Sequence, residues 1–434
     1  MSSAKRPELV RALGRWDLTA VGVNQVIGSG IFVLPASVAL LVGVPSSLWP
    51  FVLAAVANAL IVLCFAEAGA RFRGAGGPYL YAVTAFGPFT GFQVAWMLWL
   101  TRVASQAALA NALARYAGFF WPGATTGFGR ALIISGALVA LATINLLGVR
   151  YGSWLVNLFT VSKLVPLGLF VMVGAWYVQP ATFEGASFAV TAGTGEAVLL
   201  LMFAFGGYEL ISLPAGEARR PERDVPVALL TTIVIVSIVF LAVQWVTAGT
   251  LPGLADSQTP IADAAANFMG PWAAGLIALG GLISIAGSNA GTMLAGPRVT
   301  YAMAERGQLP SILGSVHAQF RTPSASIVLY AAVALGLALS GSFEQMAKVS
   351  AVARLLFYLT TCAAVPVLRR SSTMKREAFR LPGGDVIPVL AILAALAILA
   401  GSDAGSLLAG GIALGVGAGL FLLYGRRATP VERS

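Results

Sequence analysis

The chain has 434 residues, 58% of them hydrophobic and only 10% charged, with a formal net charge of +10. Soluble domains average roughly 25% charged residues, so a soluble fold is excluded, and the mean hydropathy of +0.85 is that of an integral membrane protein. In a soluble chain the basic excess would point to nucleic acid; here it is topogenic and implies no such partner.

Chemistry is narrowed by what is scarce. Cys64 and Cys362 both lie in apolar stretches and read as small hydrophobic fillers rather than a disulfide framework or metal set. The single histidine, His317, sits in a polar loop. A metal site, a histidine triad, a catalytic set and a bound cofactor are therefore not expected. The N-terminal charges lead into a long first apolar segment without a small-residue cleavage pattern, unlike a cleavable signal peptide.

A membrane-spanning helix needs about 20 mostly apolar residues. Twelve segments qualify, approximately 17–42, 47–70, 91–117, 130–148, 153–178, 193–215, 226–249, 271–296, 324–340, 345–368, 386–400 and 404–424. The tenth carries Lys348 and Arg354, and the eleventh is short. With the N-terminus inside, the cytoplasmic segments collect 21 of the 27 basic residues, as the positive-inside bias requires. An odd number of spans would break that alternation, so both termini are expected in the cytoplasm of a multi-pass protein of the cytoplasmic membrane. The charged loop 369–385 is expected to be a solvated connection.

Two of the twelve segments are broken by glycine. The first reads Val26-Ile27-Gly28-Ser29-Gly30-Ile31-Phe32 and the sixth Phe203-Ala204-Phe205-Gly206-Gly207-Tyr208-Glu209. Irregular backbone at membrane depth is tolerated only where it is buried in protein or lines a cavity. Paired breaks at corresponding places in two halves point to a transporter's substrate site. Their spacing of five spans predicts two five-span repeats, about 13–180 and 190–370, with helices eleven and twelve at about 385–425, all in one transmembrane domain.

Unwinding at the first break exposes N–H groups at the start of a half-helix, where the positive dipole end favours an anion. A carboxylate fits Ser29, Gly30 and Ile31. The carbonyls of Val26 and Ile27 offer acceptors to a cation. Small residues also permit close helix packing in lipid, and the first break alone does not decide between the two. At the second break the freed carbonyls of Phe203 and Gly206 are further acceptors for an ammonium group, and Phe203 and Phe205 supply aromatic surface. Glu209 is an ionisable group at membrane depth, expected to be functional or bonded to freed backbone N–H groups.

These breaks, together with Phe65-Ala66-Glu67, Gly76-Gly77-Pro78-Tyr79-Leu80-Tyr81, Phe86-Gly87-Pro88, Gly216-Glu217-Ala218 and Gly307-Gln308-Leu309-Pro310, resemble the amino acid–polyamine–organocation superfamily of permeases. The resemblance spans residues 13–310 in order. It implies an all-α, LeuT-like 5+5 inverted repeat with discontinuous helices 1 and 6. It also implies alternating access, amino acid substrates held by carboxylate and amine at the two breaks, and Phe203 as an occluding aromatic. Glu209 matches a pH-sensitive glutamate of the superfamily's arginine–agmatine exchangers.

Against those exchangers Gln106 falls where an amide contacts the substrate, and Gly291 where they carry a large aromatic. Arg102 replaces a small neutral residue. An arginine there repels a cationic side chain, binds an acidic one, or pairs with Glu67 or Glu209. Lys163, near half-depth of the fifth segment, resembles a lysine that replaces a sodium ion in several relatives. It would donate to the first break and to Ser284 or Ser288, giving sodium-independent transport coupled to protons or by exchange. A neutral side chain is favoured over an acidic or basic one. A polyamine or decarboxylation-product antiporter and a non-transporting amino acid sensor are the alternatives. The expected partners are the amino acid, protons and the lipid bilayer; the sequence is silent on an accessory subunit.

Overall fold

Lipid offers backbone groups no partner, so a chain of this composition satisfies them within helices. The computed structural model describes residues 13–72, 76–148, 165–370 and 379–425, and most of them are helical. The described residues contain no β-strand, only an isolated bridge between Leu13 and Ala218.

The helices are α1 (Arg15–Val26), α2 (Ser29–Val42), α3 (Leu48–Ala70), α4 (Pro78–Phe86), α5 (Pro88–Ala117) and α6 (Gly127–Leu147). Next come α7 (Val165–Tyr177), α8 (Ala192–Ala204), α9 (Pro221–Thr250), α10 (Pro260–Met269) and α11 (Pro271–Glu305). The chain ends with α12 (Ser324–Ser340), α13 (Phe343–Arg370), α14 (Val386–Ala400) and α15 (Ala404–Leu423). Among the described residues, α3, α6, α9, α11, α13 and α15 are each long and apolar enough to cross a membrane. The pair α1 and α2 qualifies together, bent by 45° at its break. Helices α7, α8, α12 and α14 are apolar but shorter. The 30-residue α5 has the length, and its apolar run is diluted by Arg102, Gln106, Asn111 and Arg115.

Charge did not prevent the tenth predicted segment from forming one continuous helix. Lys348 is carried by Glu196 at 2.5 Å, and Arg354 is buried in the protein interior. The loop 369–385 is more than a solvated connection at its described ends. Arg369 bridges Glu67, at 2.6 Å, and Asp385, at 2.8 Å. The Leu381 N–H donates to the same Glu67 carboxylate at 3.0 Å. Glu67 also accepts from Arg71 at 2.9 Å, so one fully buried carboxylate ties α3, α13 and this loop together.

Glycine sets the spacing of the centre. A Cβ at Gly30 would lie 2.6 Å from the Cβ of Ala204, so α2 and α8 approach backbone to backbone. Gly207, at φ +126°, lies 3.0 Å in the same sense from the Gln25 carbonyl. The first and second breaks thus touch each other twice. At Gly281 the same space is filled by Tyr116 at 2.6 Å, whose hydroxyl donates to the Phe32 carbonyl at 2.8 Å.

Overpacking a tight core costs about 1–3 kcal/mol. Gly30→Ala is therefore expected to lower the unfolding midpoint in detergent. Gly136→Ala, where a Cβ meets nothing within 4 Å, is the control and should leave the midpoint unchanged in a fluorescence melt.

Candidate substrate site

The first break is a single tight turn. Helix α1 ends at Ile27, with φ −74° and ψ 84°, the inverse γ conformation. The Gly28 N–H accordingly donates to the Val26 carbonyl at 2.8 Å. Helix α2 then begins at Ser29 without a side-chain cap. The N–H groups of Ser29, Gly30 and Ile31 have no acceptor among the described residues. Such donors are normally met by a cap, by water or by a ligand. The Ser29 hydroxyl, 1% exposed, also lacks a partner. Helix α11 closes this end, with the Ser288 hydroxyl 3.2 Å from where a Gly28 Cβ would stand.

The second break follows α8. The Gly206 N–H returns to the Phe203 carbonyl at 3.2 Å, and the chain continues as a 3-10 helix, Tyr208–Glu217. The space over Gly206 is taken by the Arg354 guanidinium, whose Nη1 would lie 1.4 Å from a Cβ there. That same Nη1 donates to the carbonyls of Met202, at 3.0 Å, and Phe203, at 3.1 Å. The carbonyl end of α8 is thus occupied by a cation from α13.

Arg354 belongs to a buried charge cluster. Glu209, 1% exposed, lies 3.3 Å from Arg102 of α5 and 3.8 Å from Arg354. Its carboxylate also accepts from the Gly207 N–H and from the Tyr358 hydroxyl, each at 2.9 Å. Tyr358 stacks on Tyr208 with ring centroids 5.4 Å apart. Unit charges 4 Å apart at an effective dielectric of 20 attract by about 4 kcal/mol. Removing three such groups from water costs several kcal/mol each, so the two neutral donors on Glu209 are needed as well as the two cations.

The remaining predicted residues are distributed as follows. Gln106 is fully buried and donates to the Asn289 side-chain oxygen at 2.7 Å, leaving Gln106 Oε1 and Asn289 Nδ2 unpaired. Gly291 is buried on the same helix, α11, as are Ser284 and its unpartnered hydroxyl. Phe203 meets Phe343 edge-on at 5.6 Å, and Phe343 also lines a cavity of about 390 Å³ together with Arg115, Arg130 and Glu344. Phe205 packs edge-on against Phe240 of α9 at 4.9 Å. Val26 and Ile27 are buried at the end of α1. Lys163 lies outside the described residues. Of the two partners considered for Arg102, the structure brings it Glu209; Glu67 is held by Arg71 and Arg369.

Sequence reasoning missed Arg354. It is an arginine in the middle of an apolar helix, one turn before Tyr358, and that expense at membrane depth was its signal.

The profile of the amino acid permease family matches residues 13–415. The chain belongs to that family. It falls within the superfamily that the glycine-break motifs resemble, and it is a multi-pass membrane transporter, not an enzyme. The permease is 28% identical to the methylthioribose transporter of Bacillus subtilis (strain 168), over 98% of this chain and 96% of that protein. It is 28% identical to the serine/threonine exchanger SteT of the same organism, over 96% and 97%. The branched-chain amino acid permease BcaP, also from that organism, is 26% identical over 98% and 95%.

Breaking a buried pair by removing one partner costs about 3–5 kcal/mol. Glu209→Gln in the permease is expected to lower the unfolding midpoint sharply, because two arginines lose their carboxylate. Adding Arg102→Met should recover part of the loss. A double-mutant cycle on detergent melts reads the coupling, and strict additivity would contradict it.

Proposed function

We propose that this permease is a secondary active transporter of amino acids that works by alternating access. The observation that carries this reading is the start of α2: three N–H groups and one buried hydroxyl without a partner among the described residues, at the positive end of a half-helix. A carboxylate is the group that satisfies all of them. The substrate's ammonium is drawn to the carbonyl ends of α1 and α8, at Val26, Ile27, Phe203 and Gly206. Gln106 and Gly291 stand beside the side chain, and Phe203 and Phe205 supply the aromatic surface.

In this reading the twelve spans are α1 with α2, α3, α5, α6, α7, α8 with its 3-10 extension, α9, α11, α12, α13, α14 and α15. The first five form one LeuT-like repeat, the next five the other, inverted, and the last two are appended. Both repeats open with a broken helix, and the breaks lie against each other, which is the arrangement that lets one half rock against the other around a fixed site. Both termini face the cytoplasm of a cell whose cytoplasmic membrane the protein spans, following the basic residues.

Removing a hydrogen bond to a charged group costs about 1.5–3 kcal/mol. Ser29→Ala is expected to weaken all amino acid substrates by a common factor of about tenfold in a counter-flow assay on proteoliposomes. Selective loss of one substrate would contradict the carboxylate role.

Coupling is by protons or by exchange, with Lys163 in the place of a bridging sodium ion and Ser284 and Ser288 as its acceptors on α11. Glu209 and Arg102 take part as the gating pair. Uptake is expected to be equal in sodium and choline media, and Lys163→Ala is expected to abolish coupled uptake. Sodium-dependent transport by the unaltered protein would overturn the ion-replacement role.

A further inference from the structure

The charges at the centre do not balance. Arg102 and Arg354 are both buried, and among the described residues Glu209 is the one carboxylate within salt-bridge reach of either. Of the other buried carboxylates among the described residues, Glu67 is committed to Arg71 and Arg369, and Asp224 accepts from the Arg220 N–H at the start of α9. Lys348, on the helix that carries Arg354, is paired with Glu196 and Asp403. Helix ends offset the excess only in part: the carbonyl ends of α1 and α8 each carry about half a negative unit and the N–H end of α2 about half a positive one. The described side chains of the centre sum to +1, and a net positive charge is left.

The place of a substrate ammonium is also contested. Arg354 Nη1 already donates to the Met202 and Phe203 carbonyls, one residue from Ala204, against which Gly30 packs. A zwitterion at α2 brings a second cation towards the one Arg354 supplies. An additional negative charge would meet Arg102 and Arg354, whose Nε lies 3.8 Å from Glu209 without a hydrogen bond.

The cavity lined by Phe343 repeats the pattern. Arg115 is neutralised by Glu344 at 2.8 Å. Arg130 donates to Asn111 at 2.6 Å and to the carbonyls of Ala338 and Gly341, at 2.9 and 2.6 Å. All three acceptors are neutral, so this cavity also has a net charge of +1. A cleft lined by one sign of charge concentrates the opposite sign.

We infer that this site takes substrates of net charge −1: a carboxylate on the N-terminus of α2, carried by either a dicarboxylic amino acid or an amino acid whose amine is blocked. This rests on the carboxylate reading above and departs from the neutral side chain favoured by the sequence. That preference counted Arg102 without Arg354. In the first class the substrate's ammonium competes with Arg354 for the α8 carbonyls and displaces it towards the second carboxylate. In the second class Arg354 stays where it is.

The test uses the full-length protein with four probes at neutral pH: L-glutamate, N-acetyl-L-alanine, L-alanine and L-lysine. Affinity is read by ligand-induced shift of the melting midpoint and by inhibition of counter-flow. At least one monoanion is expected to bind about tenfold or more tightly than L-alanine, with L-lysine weakest. Which monoanion wins tells whether the substrate keeps a free amine. In Arg354→Gln the advantage of the monoanions over L-alanine should vanish. Arg130→Gln, at the cavity, should slow monoanion uptake more than L-alanine uptake at low salt, and the difference should fade at high salt. L-alanine or L-lysine binding as well as both monoanions in the unaltered protein overturns the inference, whether or not Arg354→Gln folds. So does a monoanion preference that survives in a folded Arg354→Gln. Those results leave the transport reading standing, whereas failure of every proteinogenic amino acid to bind or exchange would overturn that reading itself.

Discussion

Glu209 is a carboxylate placed where water does not reach, and the centre of the permease is organised around keeping it charged. It sits just past the second break, so the unwound Gly207 N–H is available to it. Arg102 comes from α5, Arg354 and Tyr358 from α13. Those two helices are among the most closely packed against each other in the structure. An ion pair alone would not offset the removal of three charges from water. The combination of two guanidinium groups, a phenol and a backbone N–H does, and it links the second break to two helices that are distant in sequence.

Close packing and charge are mutually dependent here. Arg354 can lie over the second break only because Gly206 has no side chain. The two breaks can touch only because Gly30 and Gly207 leave room for Ala204 and the Gln25 carbonyl. Glycine is entropically costly in a helix, yet a Cβ at Gly30 would collide with Ala204, one at Gly206 would displace the Arg354 guanidinium, and Gly207 has φ +126°. The same glycines therefore free the backbone groups that a ligand would use and hold the two half-helices at the distance where those groups converge.

Much of this was readable from the chain. The twelve apolar segments coincide closely with helices wherever residues are described, because hydrophobic length is a local property. Segments 324–340 and 386–400 match α12 and α14 to the residue. The motif Gly28-Ser29-Gly30 pointed to the first break, although such small residues serve close helix packing equally well. Helices α4 and α10 were not anticipated, being too short for a hydropathy window. The loop 369–385 read as solvated because its charges had no visible partner. Arg369 and Leu381 find theirs in Glu67, some 300 residues away in sequence. Lys163 was legible as an expensive charge, and the described residues say nothing of its surroundings.

The sequence by itself determined the membrane environment, the helical class, the family and the two broken helices. Each follows from composition or from a motif contained within a few residues. Only the tertiary structure decided which charges meet. Arg102 had two candidate carboxylates, and α5 delivers it to Glu209. Arg354 appeared merely to dilute an apolar helix, and α13 lays it across the carbonyls of Met202 and Phe203. The sign of the centre is a sum over three helices, and Coulomb interactions depend on separation in space, which residue order does not contain.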